Sequence, residues 1–157
     1  MKKQADYTRW IPSILWMGFI FFLSHQQGGS SSELSSGITE TLYSIIHAFL
    51  PRLNLEADFF HFLVRKGAHF TAYLILALFV AHAMKQKDRT SFFRVFFFCM
   101  LYANSDEFHQ TFVPGRSGEL RDVLIDSSGA VTGILLYLNI NFRKTKIVFQ
   151  EAMRKSS

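Results

Sequence analysis

The chain has 157 residues, of which 49% are hydrophobic and 18% are charged. This length predicts one domain covering 1–157. The single Cys99 excludes a disulfide framework and a cysteine-based zinc site. The formal net charge of +5 requires no nucleic acid partner, because anionic membrane lipids are a sufficient counterpart for a basic surface.

Four apolar blocks follow one another along the chain, and each approaches the length of a membrane span when its flanking residues are included. They predict spans at approximately 7–24, 62–84, 91–108 and 121–141. The second and third blocks are apolar on all sides, which a soluble bundle of this size could not bury. We therefore predict an all-α fold, an integral membrane four-helix bundle. The alternatives are a soluble bundle and a cleaved signal peptide in place of the first span.

The basic residues predict the orientation of these spans. Most of the 17 Lys and Arg residues lie in the N-terminal segment, in the loop 85–94 and after Asn141. With four spans these three segments share one side of the membrane, and the positive-inside rule makes that side cytoplasmic. We predict a multi-pass protein with both termini in the cytoplasm, whose segment after Asn141 is a solvated tail.

The segment between the first two spans carries one apolar stripe. Leu34, Ile38, Leu42, Ile45 and Phe49 recur at steps of three or four. This spacing places them on one face of a helix at about 31–50. We predict that this helix lies on the outer leaflet of the membrane, with a protein-binding helix as the alternative.

The polar residues of the spans gather at the ends that face outwards. Arg65, His69 and Tyr73 are four residues apart and form one stripe on the second span. Two further stripes are Tyr102, Asp106, Glu107, His109 and Gln110 on the third span, and Asp122, Asp126, Gly129 and Gly133 on the fourth. The two glycines also form a GxxxG pattern, which allows close helix approach. Ionisable groups at this depth are costly, so we expect them to face the bundle interior and to pair.

Structural and chemical interpretations of these groups remain open. Arg65 paired with Asp122 or Glu107 would be an ion pair that only holds helix ends together, and Arg116 would brace the Pro-Gly turn or bind lipid phosphate. Close carboxylates separate one another's pKa values and histidine relays protons, so the same groups suit acid–base chemistry. Arginine binds phosphate or carboxylate with two hydrogen bonds, which suits an anionic lipid-linked substrate.

Two further kinds of site are weakly supported by the sequence. A Ser-His-Asp triad that uses Ser24 lacks a nucleophile elbow. A metal held by His69, His109, Glu107 and Asp122 lacks any recognisable ligand spacing. We therefore predict no metal and no cofactor.

Four motifs occur in order along the chain. They are Ser24-x-Gln26; Arg65-Lys66-x-Ala68-His69-Phe70-x-x-Tyr73; Tyr102-Ala-x-Ser-Asp106-Glu107-x-x-Gln110-x-Phe112-x-Pro114-Gly115-Arg116; and Asp122-Val-x-Ile-Asp126-x-x-Gly129. Their order and their spacing relative to the spans resemble the VanZ-like family of bacterial integral membrane proteins. The resemblance takes in nearly the entire chain.

The resemblance implies a place in the bacterial cytoplasmic membrane and an association with low-level resistance to teicoplanin-type glycopeptides. Family members often have Asn at the position of Asp126, which favours a hydrogen-bonding role there. From the residues and the resemblance together, the expected catalytic residues are Glu107, His69 and Asp122. The expected substrate-binding residues are Arg65, Lys66, Arg116, Gln110, Tyr73, Asp126, Ser24 and Gln26.

We expect an outer-face polar pocket that binds a cell-envelope lipid, a lipid-linked precursor or a glycopeptide antibiotic, and that contributes to envelope maintenance or glycopeptide resistance. One alternative is a membrane hydrolase or transferase acting on a lipid-linked envelope substrate, with Glu107 or His69 as general base. Another is a structural or regulatory partner of a membrane complex, in a homo- or hetero-oligomer, through the outer helix and the GxxxG pattern.

Overall fold

A computed structural model describes residues 7–26, 28–49, 56–85 and 89–156, and within them the chain forms helices joined by turns, the longest of these turns at 111–119. No strand occurs within these ranges, so the all-α prediction is confirmed for them. The elements are a short 3₁₀ helix at Tyr7–Trp10, α1 at Ile11–Ser24, α2 at Gly28–Phe49, α3 at Ala57–Ala83, α4 at Arg89–Gln110 and α5 at Leu120–Ser156.

The ends of the helices follow local chain chemistry. α1 carries Pro12 in its first turn, where the missing N–H of proline costs no helical hydrogen bond. α4 ends at Gln110, shortly before the Pro114-Gly115 turn, in which Gly115 adopts a positive φ of 75°. The apolar part of α5, Leu120–Asn141, agrees with the span predicted at 121–141, and the helix itself continues past that span to Ser156. Its polar residues beyond Asn141 are good helix formers, and the periodic apolar signal used to define the span does not register them.

One hydrophobic core joins four of the helices. Its buried members come from α1, α3, α4 and α5, and they are Ile20, Tyr73, Leu76, Ala77, Val80, Ala81, Val95, Cys99, Ala103, Val123, Ala130 and Ile134. Two hydrogen bonds fasten α1 to its neighbours: Trp16 Nε1 donates to the Ala72 oxygen at 2.8 Å, and the Tyr102 hydroxyl donates to the Met17 oxygen at 2.7 Å. α1 is thus an integral part of the core.

α3 and α5 approach each other most closely along the GxxxG pattern. Gly129 lies against the Phe70 carbonyl, and Gly133 lies against the Leu74 carbonyl and the Ala77 side chain. A Cβ atom at either glycine would overlap the carbonyl oxygen of the facing helix. The two backbones therefore meet only because these positions carry no side chain.

Two helical segments within the described residues are long and apolar enough to cross a membrane, Asp58–Ala83 in α3 and Leu120–Asn141 in α5. A helix is present where one was predicted at about 31–50, as α2, and Ile38, Leu42, Ile45 and Phe49 of its apolar stripe are exposed. The stripe's first member, Leu34, lies outside the described side chains.

Candidate functional site

Six buried polar side chains gather where α1 and α4 end and where α5 begins. They are Ser24, Asp106, Glu107, Gln110, Asp122 and Asp126. The faces predicted for α4 and α5 are confirmed, because the carboxylates and Gln110 point inwards while Asn104, Ser105 and Phe108 are exposed. α3 contributes Lys66 and His69 to the same cluster.

Asp106 connects α1 to α4 by hydrogen bonds. The Ser24 hydroxyl donates to Asp106 Oδ2 at 2.7 Å, and Gln110 Nε2 lies 3.4 Å from the same oxygen and 3.3 Å from Ser24 Oγ. Sequence reasoning placed Asp106 on the buried face but left it out of the expected site residues. The signal that could have found it is its i, i+4 spacing to Gln110. Because Ser24 bonds a carboxylate and not an imidazole, the hypothesis of a Ser24 triad is wrong.

Lys66 forms the ion pair that the sequence analysis considered for Arg65. Its ammonium group contacts Asp122 Oδ1, and it also lies 3.5 Å from Glu119 Oε2. The hypothesis of an Arg65–Asp122 pair is therefore wrong. Adjacent helical residues point about 100° apart, and the turn of α3 directs Lys66 towards α5 while leaving Arg65 exposed.

His69, Glu107 and Asp126 meet from three different helices. His69 Nδ1 lies 3.3 Å from Asp126 Oδ1, and Glu107 Oε2 accepts a hydrogen bond from the Glu119 N–H at 2.9 Å. One ligand atom from each of the three side chains lies within 4.8 Å of the other two. Asp122 pairs with Lys66 and His109 Nε2 lies 3.1 Å from His25 Nδ1, so the metal ligand set considered from sequence is not the one assembled here.

Arg116 stabilises the end of α1. Its guanidinium group donates to the carbonyl oxygens of Gln26 and Leu23, both at 3.1 Å, and lies 3.4 Å from Gln110 Oε1. Carbonyls at a helix C-terminus lack intrahelical partners, and cationic side chains are favourable there. Burial first, and the nearby charge of Arg65 second, lower the pKa of Arg116. Two guanidinium groups therefore lie close enough to repel each other.

Two cavities lie beside this cluster and share Arg65. The first, of about 260 Å³, is walled mainly by apolar residues of α1, α2 and α3, including Phe19, Leu23, Ile38 and Val64. Its polar lining consists of Ser24, Gln26, Arg65, His69, Tyr73, Asp106 and Arg116. The second, of about 530 Å³, is lined by Ser36, His61, Phe62, Arg65, Lys66, Glu119 and Arg121.

The expected site residues are thus brought together at one end of the fold. Tyr73 is buried with 1% of its surface exposed, and its hydroxyl finds no hydrogen-bond partner among the described residues. Gln110 and Glu107 do not line the first cavity, and each is bonded instead to the 111–119 segment, Gln110 to Arg116 and Glu107 to the Glu119 N–H.

These features define a class of protein, a helical protein with two described helices long and apolar enough to cross a membrane and a carboxylate-rich cluster buried near one end of them. The model of the VanZ/LLP1 family matches residues 9–142, which is most of the chain. The chain belongs to the VanZ/LLP1 family, as its motifs predict. No curated protein and no solved structure compared with the chain gives a match.

Proposed function

We propose that the protein binds an anionic amphiphile of the cell envelope, a membrane lipid or a lipid-linked precursor. The observation that carries this proposal is the position of Arg65 at the junction of an apolar cavity and a basic one. Acyl chains and anionic headgroups need these two environments side by side. Ligand pockets are typically apolar with a few converging polar groups.

The basic cavity suits the headgroup. Arg65, Lys66 and Arg121 line it together with His61, and the carboxylate of Glu119 contacts Lys66. The repulsion between Arg65 and Arg116 is relieved when an anion lies beside them. Since Arg116 already donates to α1 carbonyls, Arg65 is the better candidate for direct contact with the ligand.

The apolar cavity suits one acyl chain. Its apolar walls come from α1, α2 and α3, and Ala68 and Ala72 leave room between them. The lipid tail of a glycopeptide antibiotic has the same chemistry as a membrane acyl chain. A role in envelope maintenance or in glycopeptide resistance follows from retention of either ligand.

A four-span bundle with both termini in the cytoplasm is the arrangement that we propose around this pocket. In it, α1 and α4 cross the membrane beside α3 and α5, and α2 lies on the outer leaflet. The exposed apolar residues of α2 and the shared core of α1, α3, α4 and α5 support it. The polar cluster then lies at the outer face, at the end of the bundle away from Arg94.

Labelling of Ser117→Cys in a Cys99→Ala background tests this topology. Ser117 is exposed in the segment between α4 and α5. An impermeant thiol reagent applied to intact cells should modify it. Modification only after lysis would contradict the proposed orientation.

Lipid retention in detergent tests the function. Purified full-length protein is incubated with phosphatidylglycerol and washed, and bound lipid is counted by native mass spectrometry. Loss of one charge-assisted contact in Arg65→Gln should weaken retention about tenfold. The matched control is Arg94→Gln, an exposed arginine of α4 that lines neither cavity.

A second pair of variants tests the apolar cavity. Ala68→Phe fills it and should abolish retention of phosphatidylglycerol and phosphatidylcholine alike. Ala48→Phe makes the same change at an exposed position of α2 and should leave retention intact. Equal retention by the parent and Ala68→Phe would contradict the proposal.

A membrane hydrolase or transferase is the second candidate, favoured by one observation. His69 lines the apolar cavity and also meets the carboxylates of Glu107 and Asp126. A substrate seated in the cavity would therefore reach a group able to transfer protons. Loss of turnover of a lipid-linked precursor in Glu107→Gln, with lipid retention unchanged, would support this candidate, and unchanged turnover would contradict it.

A further inference from the structure

We propose that His69, Glu107 and Asp126 bind one divalent transition-metal ion, of the class of Mn²⁺ or Zn²⁺. This proposal does not depend on the proposed lipid pocket. Its evidence is the arrangement of the three side chains, and neither Arg65 nor the volume of either cavity enters the argument.

The geometry needs little adjustment to hold an ion. α3, α4 and α5 each supply one of the three side chains, and one ligand atom from each lies within 4.8 Å of the others. Atoms bound to one zinc ion at roughly 2.0–2.2 Å are about 3–4 Å apart. Small side-chain rotations therefore bring all three onto a common ion while the helices stay in place.

Buried oxygens without partners provide the independent observation. Glu107 is 4% exposed and Asp126 is 0% exposed. Glu107 Oε1 and Asp126 Oδ2 accept no hydrogen bond from the described residues. The His69 ring, at 3.3 Å, is the described ionic contact of Asp126. Buried carboxylates of this kind are costly unless they are paired or coordinate a metal.

The nearby basic side chains form their described hydrogen bonds and ion pairs with groups other than Glu107 and Asp126. Lys66 contacts Asp122 and Glu119, and Arg116 donates to Leu23 and Gln26. A divalent ion between His69, Glu107 and Asp126 would place a positive charge in direct contact with both carboxylates, whereas Arg116 acts on Glu107 only through its charge.

The ligand set selects the class of ion. An imidazole nitrogen suits Zn²⁺ and other transition metals, and two carboxylates admit Mn²⁺ as well. Three protein ligands leave at least one coordination position open. The Glu119 N–H bonded to Glu107 Oε2 at 2.9 Å orients that carboxylate, as groups around metal ligands commonly do. Tyr73 lines the same cavity as His69, and its hydroxyl has no hydrogen-bond partner among the described residues.

Metal titration of the purified full-length protein tests the proposal. The protein is stripped with a chelator and titrated with MnCl₂, with free Mn²⁺ read by electron paramagnetic resonance, and ZnCl₂ is added as competitor. We expect one tightly bound ion per chain. Removal of a ligand in Asp126→Asn or Glu107→Gln should weaken binding by on the order of 100-fold or more.

Asp106→Asn is the matched control, because it removes the same charge from a buried carboxylate of the same cluster and Ser24 can still donate to it. It should weaken Mn²⁺ binding far less than Asp126→Asn does, because it removes a neighbouring charge and no ligand atom. Parent protein that binds neither ion stoichiometrically overturns the proposal without any variant. Equal loss in Asp106→Asn and Asp126→Asn, in samples whose circular dichroism matches the parent, also overturns it.

Discussion

The interface between α3 and α5 has two regions that are held together by different means. In the first, Gly129 and Gly133 bring α5 against the carbonyls of Phe70 and Leu74, so contact depends on the absence of side chains. In the second, about one turn earlier on α3 and two turns earlier on α5, Lys66 and His69 face Asp122 and Asp126. The glycine region is complete by itself, whereas the charged region leaves carboxylate oxygens without partners. The glycine region thus serves helix packing, whereas the charged region keeps carboxylate oxygens that could still accept a hydrogen bond or bind a cation.

Lys66→Met should cause the largest loss of stability, because it removes the cation of the ion pair in the charged region. Asp122 would remain buried without its cation, and loss of one partner of a buried pair costs about 3–5 kcal/mol. Thermal unfolding in detergent, followed by circular dichroism, measures the loss. Arg121→Gln removes an exposed cation nearby and should change the transition little.

The double variant Lys66→Met with Asp122→Leu shows whether the charge itself is the cause. Replacing both partners of a buried pair by apolar groups is often neutral, so most of the stability should return. A double variant as unstable as Lys66→Met would contradict this explanation.

Gly129→Ala should cause a smaller loss of stability, by disturbing the close packing of α5 against α3. The added methyl group overlaps the Phe70 carbonyl, and overpacking of this kind costs about 1–3 kcal/mol. Gly67→Ala is the control, because nothing lies within 4 Å of its added Cβ. That control should gain about 0.5–1 kcal/mol from the better helix propensity of alanine. If both variants unfold at the same temperature, the helices do not meet at Gly129.

Tyr102→Phe should cause the smallest loss of stability. It removes an uncharged hydrogen bond and so shows how much a neutral contact contributes next to the charged pair. It deletes the hydrogen bond to the Met17 oxygen that joins α4 to α1, which is worth about 0.5–1.5 kcal/mol. Tyr7→Phe, at a residue that is 78% exposed, is the control and should leave the unfolding midpoint unchanged. A loss as large as that of Lys66→Met would mean that neutral and charged contacts do not differ here.

Much of this arrangement is predictable from periodicity. The buried face of α4 follows from its polar residues, and the close approach at Gly129 and Gly133 follows from the GxxxG pattern. The rotation of each helix against its neighbours does not follow, because it depends on packing over the whole interface. Arg65 and Lys66 are therefore equal candidates in sequence, and only the fold selects Lys66 as the partner of Asp122.

The proximity of His69, Glu107 and Asp126 could not be predicted from sequence either, because it too depends on how the helices are rotated against one another. Metal motifs are recognised when their ligands repeat along one helix, but these three come from three helices. For Arg116 the sequence motif is misleading in the other direction. Its position in the motif predicts contact with a ligand, but its N–H groups donate to carbonyls at the end of α1.

Arg116 also has a mechanical consequence. Its hydrogen bonds to Leu23 and Gln26 fasten the 111–119 segment to the end of α1, so lifting one displaces the other and strips helix-end carbonyls of their donors. Arg116 also lines the apolar cavity, so these hydrogen bonds hold one part of the cavity wall in place. α1 is therefore held at its C-terminal end by Arg116 and further along its length by the Trp16 bond to Ala72 and the Tyr102 bond to Met17.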